Sequence, residues 1–336
     1  MSDRYLWDGS GVPDRDVQRL EQLLGPLRSA PPPLHLPEPS LPGRSRRHVW
    51  RLIPLLAAAA CIVMLVGTWR ATRNARPVPP AWDVARLTGQ PLISGHTVGD
   101  TGRLAVGETL VTDASSSALI HVGAIGDVTI AGNTRVRLVE TRADHHQLSL
   151  DRGTLRAIIV APPGQFVVET RSATATDLGC VYTLHVDDDG GGMLSVEAGW
   201  VAFELNGRES FVPAGASCPM DAAAGPGTPR YDDADLQFRE SLERVDFGRG
   251  ADRSAALSLV LTRARPRDAL TLWHLLPRVG PDERGDVYAA LVARVTPPAD
   301  VRREAVLALD RDALDRWWNA LGLGDTAFWR RWKRQL

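Results

Sequence analysis

Two thiols, a few histidines and a run of carboxylates are the side chains in this 336-residue chain whose types could bind or catalyse. Cys180 and Cys218 lie beyond a long apolar run and within a stretch of alternating hydrophobicity. In an oxidising compartment a disulfide between them would close about 38 residues and stabilise the fold by roughly 3–4 kcal/mol. In a reducing one they are two unrelated buried thiols. The choice turns on a Cα separation that spacing does not contain. The third thiol, Cys61, sits inside the apolar run, where a small hydrophobe suffices. His145 and His146 are adjacent, so on a strand they point to opposite faces and cannot chelate one ion; they read as turn or surface residues. His121 and His185 each have apolar strand neighbours and read as satisfied, partly buried histidines. Asp187-Asp188-Asp189 followed by three glycines reads as a hairpin tip, because a calcium loop needs alternating carboxylates, a sixth-position glycine and a distal glutamate. GxSxG, P-loop, HExxH and GxGxxG patterns are absent. The expectation is a protein without catalytic residues, metal site or cofactor: not an enzyme.

A formal net charge of −1 excludes the strong basic field of a general nucleic-acid binder, so no nucleic-acid partner is expected. Of 39 basic residues only Lys333 is a lysine, a habit of composition that drains single arginines of meaning. What composition does mark is a membrane. From Leu52 to Trp69 there are 18 residues without a charge, and Trp50 and Trp69 stand about 28 Å apart on a helix, at the two headgroup levels. Arginines flank the run on both sides, so the positive-inside rule does not orient it.

Around that span, assigned to residues 49–69, the chain divides. Residues 1–48 form a short head, with a helix begun by Pro13 and stopped by Gly25-Pro26. Val17, Leu20, Leu24 and Leu27 make one apolar stripe along it. A dozen residues build no core, so the stripe binds a partner, packs on the membrane or stays partly disordered. Residues 29–42 are a Pro-rich spacer and 70–81 a polar stalk. From 82 to 219, segments of four to seven residues rich in Val, Ile, Leu and Thr alternate with Gly, Asn, Asp or Pro corners, the signature of an all-β sandwich, barrel or solenoid. His146 to Asp151 and Thr154 to Val160 read as two separate strands. Residues 220–232, with DAAAGPGT at 221–228, read as a flexible linker. Residues 233–336 turn helical, with seven short helices punctuated by Pro and Gly and half of the ten tryptophans. The last helix, with Trp329 and Trp332 among Arg330, Arg331, Lys333 and Arg334, docks its indoles in the bundle or lies on an anionic surface.

Within the β region, Asp177-Leu178-Gly179-Cys180 enters a strand, a hairpin follows, and then come Val196-Glu197-Ala198-Gly199-Trp200-Val201 and Val212-Pro213-Ala214-Gly215. Together with Val106-Gly107-Glu108 and Gly153-Thr154-Leu155 this order resembles the FecR domain of bacterial iron-dicitrate-type signal transducers, over about residues 89–218. The resemblance implies a single-pass protein of the bacterial inner (cytoplasmic) membrane. Its head would lie in the cytoplasm and its body in the periplasm, signalling to an extracytoplasmic-function sigma factor. The head is shorter than is usual in such transducers, residues 1–34 hold no His or Cys for a zinc-binding anti-sigma motif, and the C-terminal helical array departs from the receptor-contacting region of the family. Two functions fit. One is a transmembrane regulator whose head stripe engages a sigma factor or another cytoplasmic protein. The alternative is an envelope scaffold or ligand-binding protein, contacting an envelope protein or glycan, without a sigma-factor role.

Overall fold

The structure is a computed structural model that describes residues 80–324, together with Arg15, Gln18, Arg19 and Leu24, which are helical. Met1–Arg76 and Pro77–Leu336 are two separate units. The expected span at 49–69 and the last expected helix lie outside the described residues. Among the described residues, no helix is long and apolar enough to cross a membrane.

The second unit is β-rich with a helical C-terminal region. Its strands are β1 Ala81–Thr88, β2 Leu92–Ile93, β3 His96–Thr97, β4 Thr101–Ala105, β5 Thr109–Val111, β6 Ser117–Val122, β7 Gly126–Ile130, β8 Arg135–Thr141 and β9 His146–Ile159. They continue as β10 Phe166–Glu169, β11 Thr174–Asp177, β12 Val181–Val186, β13 Gly192–Ala198, β14 Trp200–Leu205, β15 Arg208–Pro213, β16 Ala216–Asp221, β17 Gly225–Pro226 and β18 Arg230–Tyr231. One layer runs β4-β1-β6-β7-β9-β12-β13-β16, antiparallel throughout, with β17 and β18 on the far side of β16. The other runs β3-β2-β5-β8-β9-β10-β11-β14-β15, with only the β9–β10 pair parallel. From β10 onward the chain alternates hairpins between layers, so the sandwich advances like a solenoid. Inward residues such as Ile120, Leu148, Leu155, Leu184 and Phe203 are fully buried between the layers.

β9 belongs to both layers. His146 and Leu148 pair with β8 and β10, while Leu155 and Ala157 pair with β7 and β12. The two strands expected at 146–151 and 154–160 are therefore one. The inward set changes parity, from 146, 148 and 150 to 155, 157 and 159, because the strand crosses to a layer whose core lies on its opposite side. The crossing is at Gly153, at φ 92°, where a Cβ would sit 2.5 Å from the Thr134 Cα, so no side chain fits.

The expected linker at 220–232 is also corrected. After a turn at 222–224, residues 225–231 are buried and pair with β16 through β17 and β18. Gly225 and Gly227 are there for close approach, since a Cβ on either would lie 2.8 Å from Leu205 or Phe247 side-chain atoms. The helices follow directly: α1 Leu236–Phe247, α2 Ala251–Arg263, a 3₁₀ turn Pro266–Asp268, α3 Ala269–Leu275, α4 Pro281–Val292, α5 Arg303–Leu307 and α6 Arg311–Ala320. Asp235 and Asp310 cap α1 and α6 by accepting the Phe238 and Ala313 amides, and Pro281 opens α4.

Candidate functional site

The structure separates the two thiols that the sequence offered as a pair. Cys180 and Cys218 are both buried and both free. Cys218 stands opposite Leu194, which stands opposite Leu184, so the thiols are two strands apart and four residues out of register, on the order of 16 Å between Cα atoms. A disulfide needs less than about 7 Å, so of the two alternatives the structure shows two unpaired thiols. Each thiol instead donates a hydrogen bond, Cys180 Sγ to Asp177 Oδ2 at 2.6 Å and Cys218 Sγ to the Gly227 carbonyl at 3.1 Å. Burial pushes both thiols up, Cys218 to about 12, so neither is a ready nucleophile. Of the head stripe, Leu24 is helical and 54% exposed. Val17, Leu20 and Leu27 lie outside the described residues, as do Trp50 and Trp69.

The exposed polar chemistry lies on the outer face of the first layer. Register across β6, β7, β9, β12 and β13 puts its outward side chains in rows. His121 Nδ1 meets Asp127 Oδ1 at 2.7 Å, and Arg156 holds Glu197 through two hydrogen bonds of 2.8 and 2.7 Å. Thr154 Oγ1 lies 2.8 Å from His185 Nδ1, whose Nε2 lies 3.1 Å from Asp187 Oδ1. His121 and His185 thus point outward, about half exposed and satisfied as expected, each tied to a neighbouring carboxylate. His146 is buried, against the surface expectation, with its Nδ1 2.8 Å from Thr141 Oγ1 and its ring against Trp82. Ile158 and Val160, 41% and 83% exposed, add an apolar spot to the same face.

The hydroxyl, imidazole and carboxylate of Thr154, His185 and Asp187 have the order of a hydrolytic triad, but their setting is that of a cross-strand tie. An acyl-transfer site needs free backbone N–H groups beside the hydroxyl. Here β9 is paired on both sides, and the Thr154 N–H donates to Thr134 Oγ1 at 2.9 Å. The three aspartates after β12 close a turn as expected: the Asp187 amide donates to the Gly191 carbonyl, and Asp189 Oδ1 accepts the Gly191 amide. Among the described residues, no group of three or more His, Cys, Asp or Glu could hold a metal ion. The face offers charge pairs and aliphatic surface.

A second cluster, invisible to sequence reasoning, is buried where the helices meet β15. Asp246 of α1 accepts the Thr228 amide and hydroxyl and Arg208 Nη2, and Arg278 Nη1 lies 3.7 Å away. Arg278 also donates to Thr228 Oγ1, Ser210 Oγ and the Glu209 carbonyl. His274 on α3 presents Nε2 to the Phe211 amide at 3.0 Å, while its Nδ1–H donates to the Leu270 carbonyl at 2.8 Å. That pattern requires a neutral ring. Burial first, then Arg278, pushes His274 down to about 3 and keeps it so. β15 is the edge of its layer, and an edge strand exposes unpaired backbone groups. His274 and Arg278 take up the Phe211 amide and the Glu209 carbonyl, so α3 and the turn after it do the work of a further strand. Nothing local in Leu-Trp-His-Leu-Leu-Pro-Arg signals this, because the partners are more than 60 residues away.

Residues 108–202 match the family model of the FecR protein. The β-rich unit carries a FecR-type segment. It spans from the residue before β5 to Ala202 in β14, inside the 89–218 stretch that the motifs outlined, and it contains the charged outer face. No curated protein matches the chain significantly. Two crystal structures of a candidate anti-sigma factor from Parabacteroides distasonis are similar over 40% of this chain, at 15% identity and a TM-score of 0.33. The similar region takes in 63% and 62% of those chains, less than two thirds of their length. β15 to β18 and the helices fall outside the FecR-matched segment.

Proposed function

We propose that this protein is a non-enzymatic transmembrane regulator of the FecR type. It crosses the bacterial inner membrane once at 49–69 with its head in the cytoplasm and its body in the periplasm, and it passes a signal to an extracytoplasmic-function sigma factor or another cytoplasmic partner. The observation that carries this reading is the FecR-type segment at 108–202 downstream of an uncharged run of membrane length. In support, Leu24 of the head stripe is helical with its side chain half exposed, as an anchor for a partner's groove must be. The paired charges and aliphatic spot on the outer face of the first layer serve the exported side of the same task.

Topology is tested with reporter fusions. Alkaline phosphatase joined after Pro219 should be active and phosphatase joined before Arg44 inactive; the reverse pattern would overturn the orientation.

The head is tested by capturing cytoplasmic proteins on residues 1–48, wild type and Leu20→Asp with Leu24→Asp, while transcription of the adjacent regulon is followed in cells. Two carboxylates forced into an apolar groove cost several kcal/mol, on the order of 2–7 each for polar groups left unpaired. The double variant should therefore lose the captured partner and shift transcription. Identical capture and identical transcription would reduce the head to an anchor and make the protein an envelope scaffold or ligand binder.

A further inference from the structure

Asp177 ends β11 in one layer, and after Leu178-Gly179-Cys180 the chain enters β12 in the other. The crossing is tight: Gly199, where the chain crosses back between β13 and β14, would place a Cβ 2.1 Å from the Gly179 carbonyl oxygen and 3.0 Å from the Cys180 Cα. At this point the Asp177 side chain is 1% exposed. Its Oδ1 accepts the Gly179 amide at 2.6 Å, and its Oδ2 accepts the Cys180 thiol at 2.6 Å.

What is missing around it matters most. Among the described residues no arginine or histidine pairs with Asp177. The titratable groups that face it from β12 and its entry are Cys180 and Tyr182, both buried and both held neutral. The Tyr182 hydroxyl is itself buried without a hydrogen-bond partner in the structure. From β10 and β14, the carboxylates Glu169 and Glu204 stand opposite Thr174, at the other end of β11. The Gly179 and Cys180 amides and one weak thiol donor serve this carboxylate, but with no cation beside it they do not offset its burial, which favours the neutral acid.

We propose that Asp177 is an acid-responsive latch at the layer crossing of the FecR-type segment: protonated in a mildly acidic medium it tightens the crossing, and ionised at neutral pH it loosens it. In the regulator reading this would let the exported unit report the acidity of its compartment, but the latch itself is a property of the folded chain and is testable without that reading. Burial raises the Asp177 carboxyl from 3.8 to about 6, outweighing the lowering by the Cys180 and Gly179 hydrogen bonds. The sign follows. Between about pH 4 and 6 the folded state holds a proton that the unfolded state has lost, so this group's contribution is present below about pH 4 and is lost as pH rises through about 6. His274 acts oppositely over much of the same range, since its neutral form is lost to the unfolded state's imidazolium as pH falls. The wild-type profile alone therefore hides the latch, and the difference from a variant reveals it.

The test is hydrogen exchange of the full chain in detergent, wild type against Asp177→Asn, with protection of the amides at 178–181 compared at each pH from about 4.5 to about 7.5. The ratio of wild-type to variant protection is expected to rise at least tenfold as the pH falls to about 4.5, the rise setting in near pH 6. A ratio that stays constant overturns the proposal. Should Asp177→Asn fail to fold, the wild-type Cys180 S–H infrared band, assigned by its loss in Cys180→Ala, supplies the second measurement. A shift of that band with a midpoint near pH 6 supports the latch, and a band unchanged across the range sinks it.

Discussion

Asp246→Ala is expected to destabilise the purified chain by about 3–5 kcal/mol in denaturant unfolding, one of the two largest single-site effects expected in this fold. Asp246 and Arg278 have side chains 1% and 6% exposed. Removing the carboxylate leaves the Arg278 guanidinium buried without its countercharge and strips the Thr228 amide and hydroxyl of their acceptor. The loss lies in breaking the pair, because a buried pair exchanged whole for apolar groups is often close to neutral. Asp246→Ala combined with Arg278→Met should therefore cost clearly less than the two single changes added together, although Arg278→Met also frees the Glu209 carbonyl. Additive costs, or a cost below about 1 kcal/mol for Asp246→Ala, would mean that this network does not hold the helices to the strands.

Trp318→Ala should be about as severe, again about 3–5 kcal/mol. The Trp318 side chain is fully buried on α6, where rings from both halves of the unit converge. Its centroid lies 4.7 Å from Trp273 and 5.5 Å from His274 on α3, and 6.0 Å and 6.1 Å from Phe211 of β15 and Trp200 of β14. Edge-to-face packing of this kind adds to the area term. Loss of the indole opens a cavity at the meeting point of helix and sheet, so limited proteolysis should move into 249–324 before it reaches the strands. Trp318→Phe, which keeps a ring against Trp273, should recover part of the loss. If Trp318→Ala were cleaved no faster than wild type in 249–324, the aromatic junction would not be what fastens the helices.

Sequence alone determined the local grammar of this chain. Period-two alternation located β5 to β8, β10 and β12 to β14 and both ends of β9, because every second residue of a half-buried strand must be apolar, while the four-residue β11 went unread. Asp187 to Gly192 read correctly as a turn, since glycine and aspartate supply its special backbone and its caps. Pro281 and Asp235 marked helix starts through a missing N–H and a side-chain acceptor, features that act within four residues. The FecR-type pattern was legible for the same reason: its motifs are turns and strand edges whose residue types are fixed locally.

Only the tertiary structure decided what lies across from what. Alternation says which residues share a face, but not which layer the face belongs to, and so β9 looked like two strands until Gly153 was seen to carry it from one layer to the other. DAAAGPGT has the composition of a linker, yet Gly225 and Gly227 are glycines because Leu205 and Phe247 press against them. Cys180 and Cys218 looked like a pair because nothing in a sequence encodes the register that sets them two strands apart. His274 and Arg278 carry no motif, for each draws its role from backbone groups of β15 more than 60 residues earlier. Asp177 becomes unusual only through burial without a cation, a property of three-dimensional surroundings that residue type and spacing do not contain.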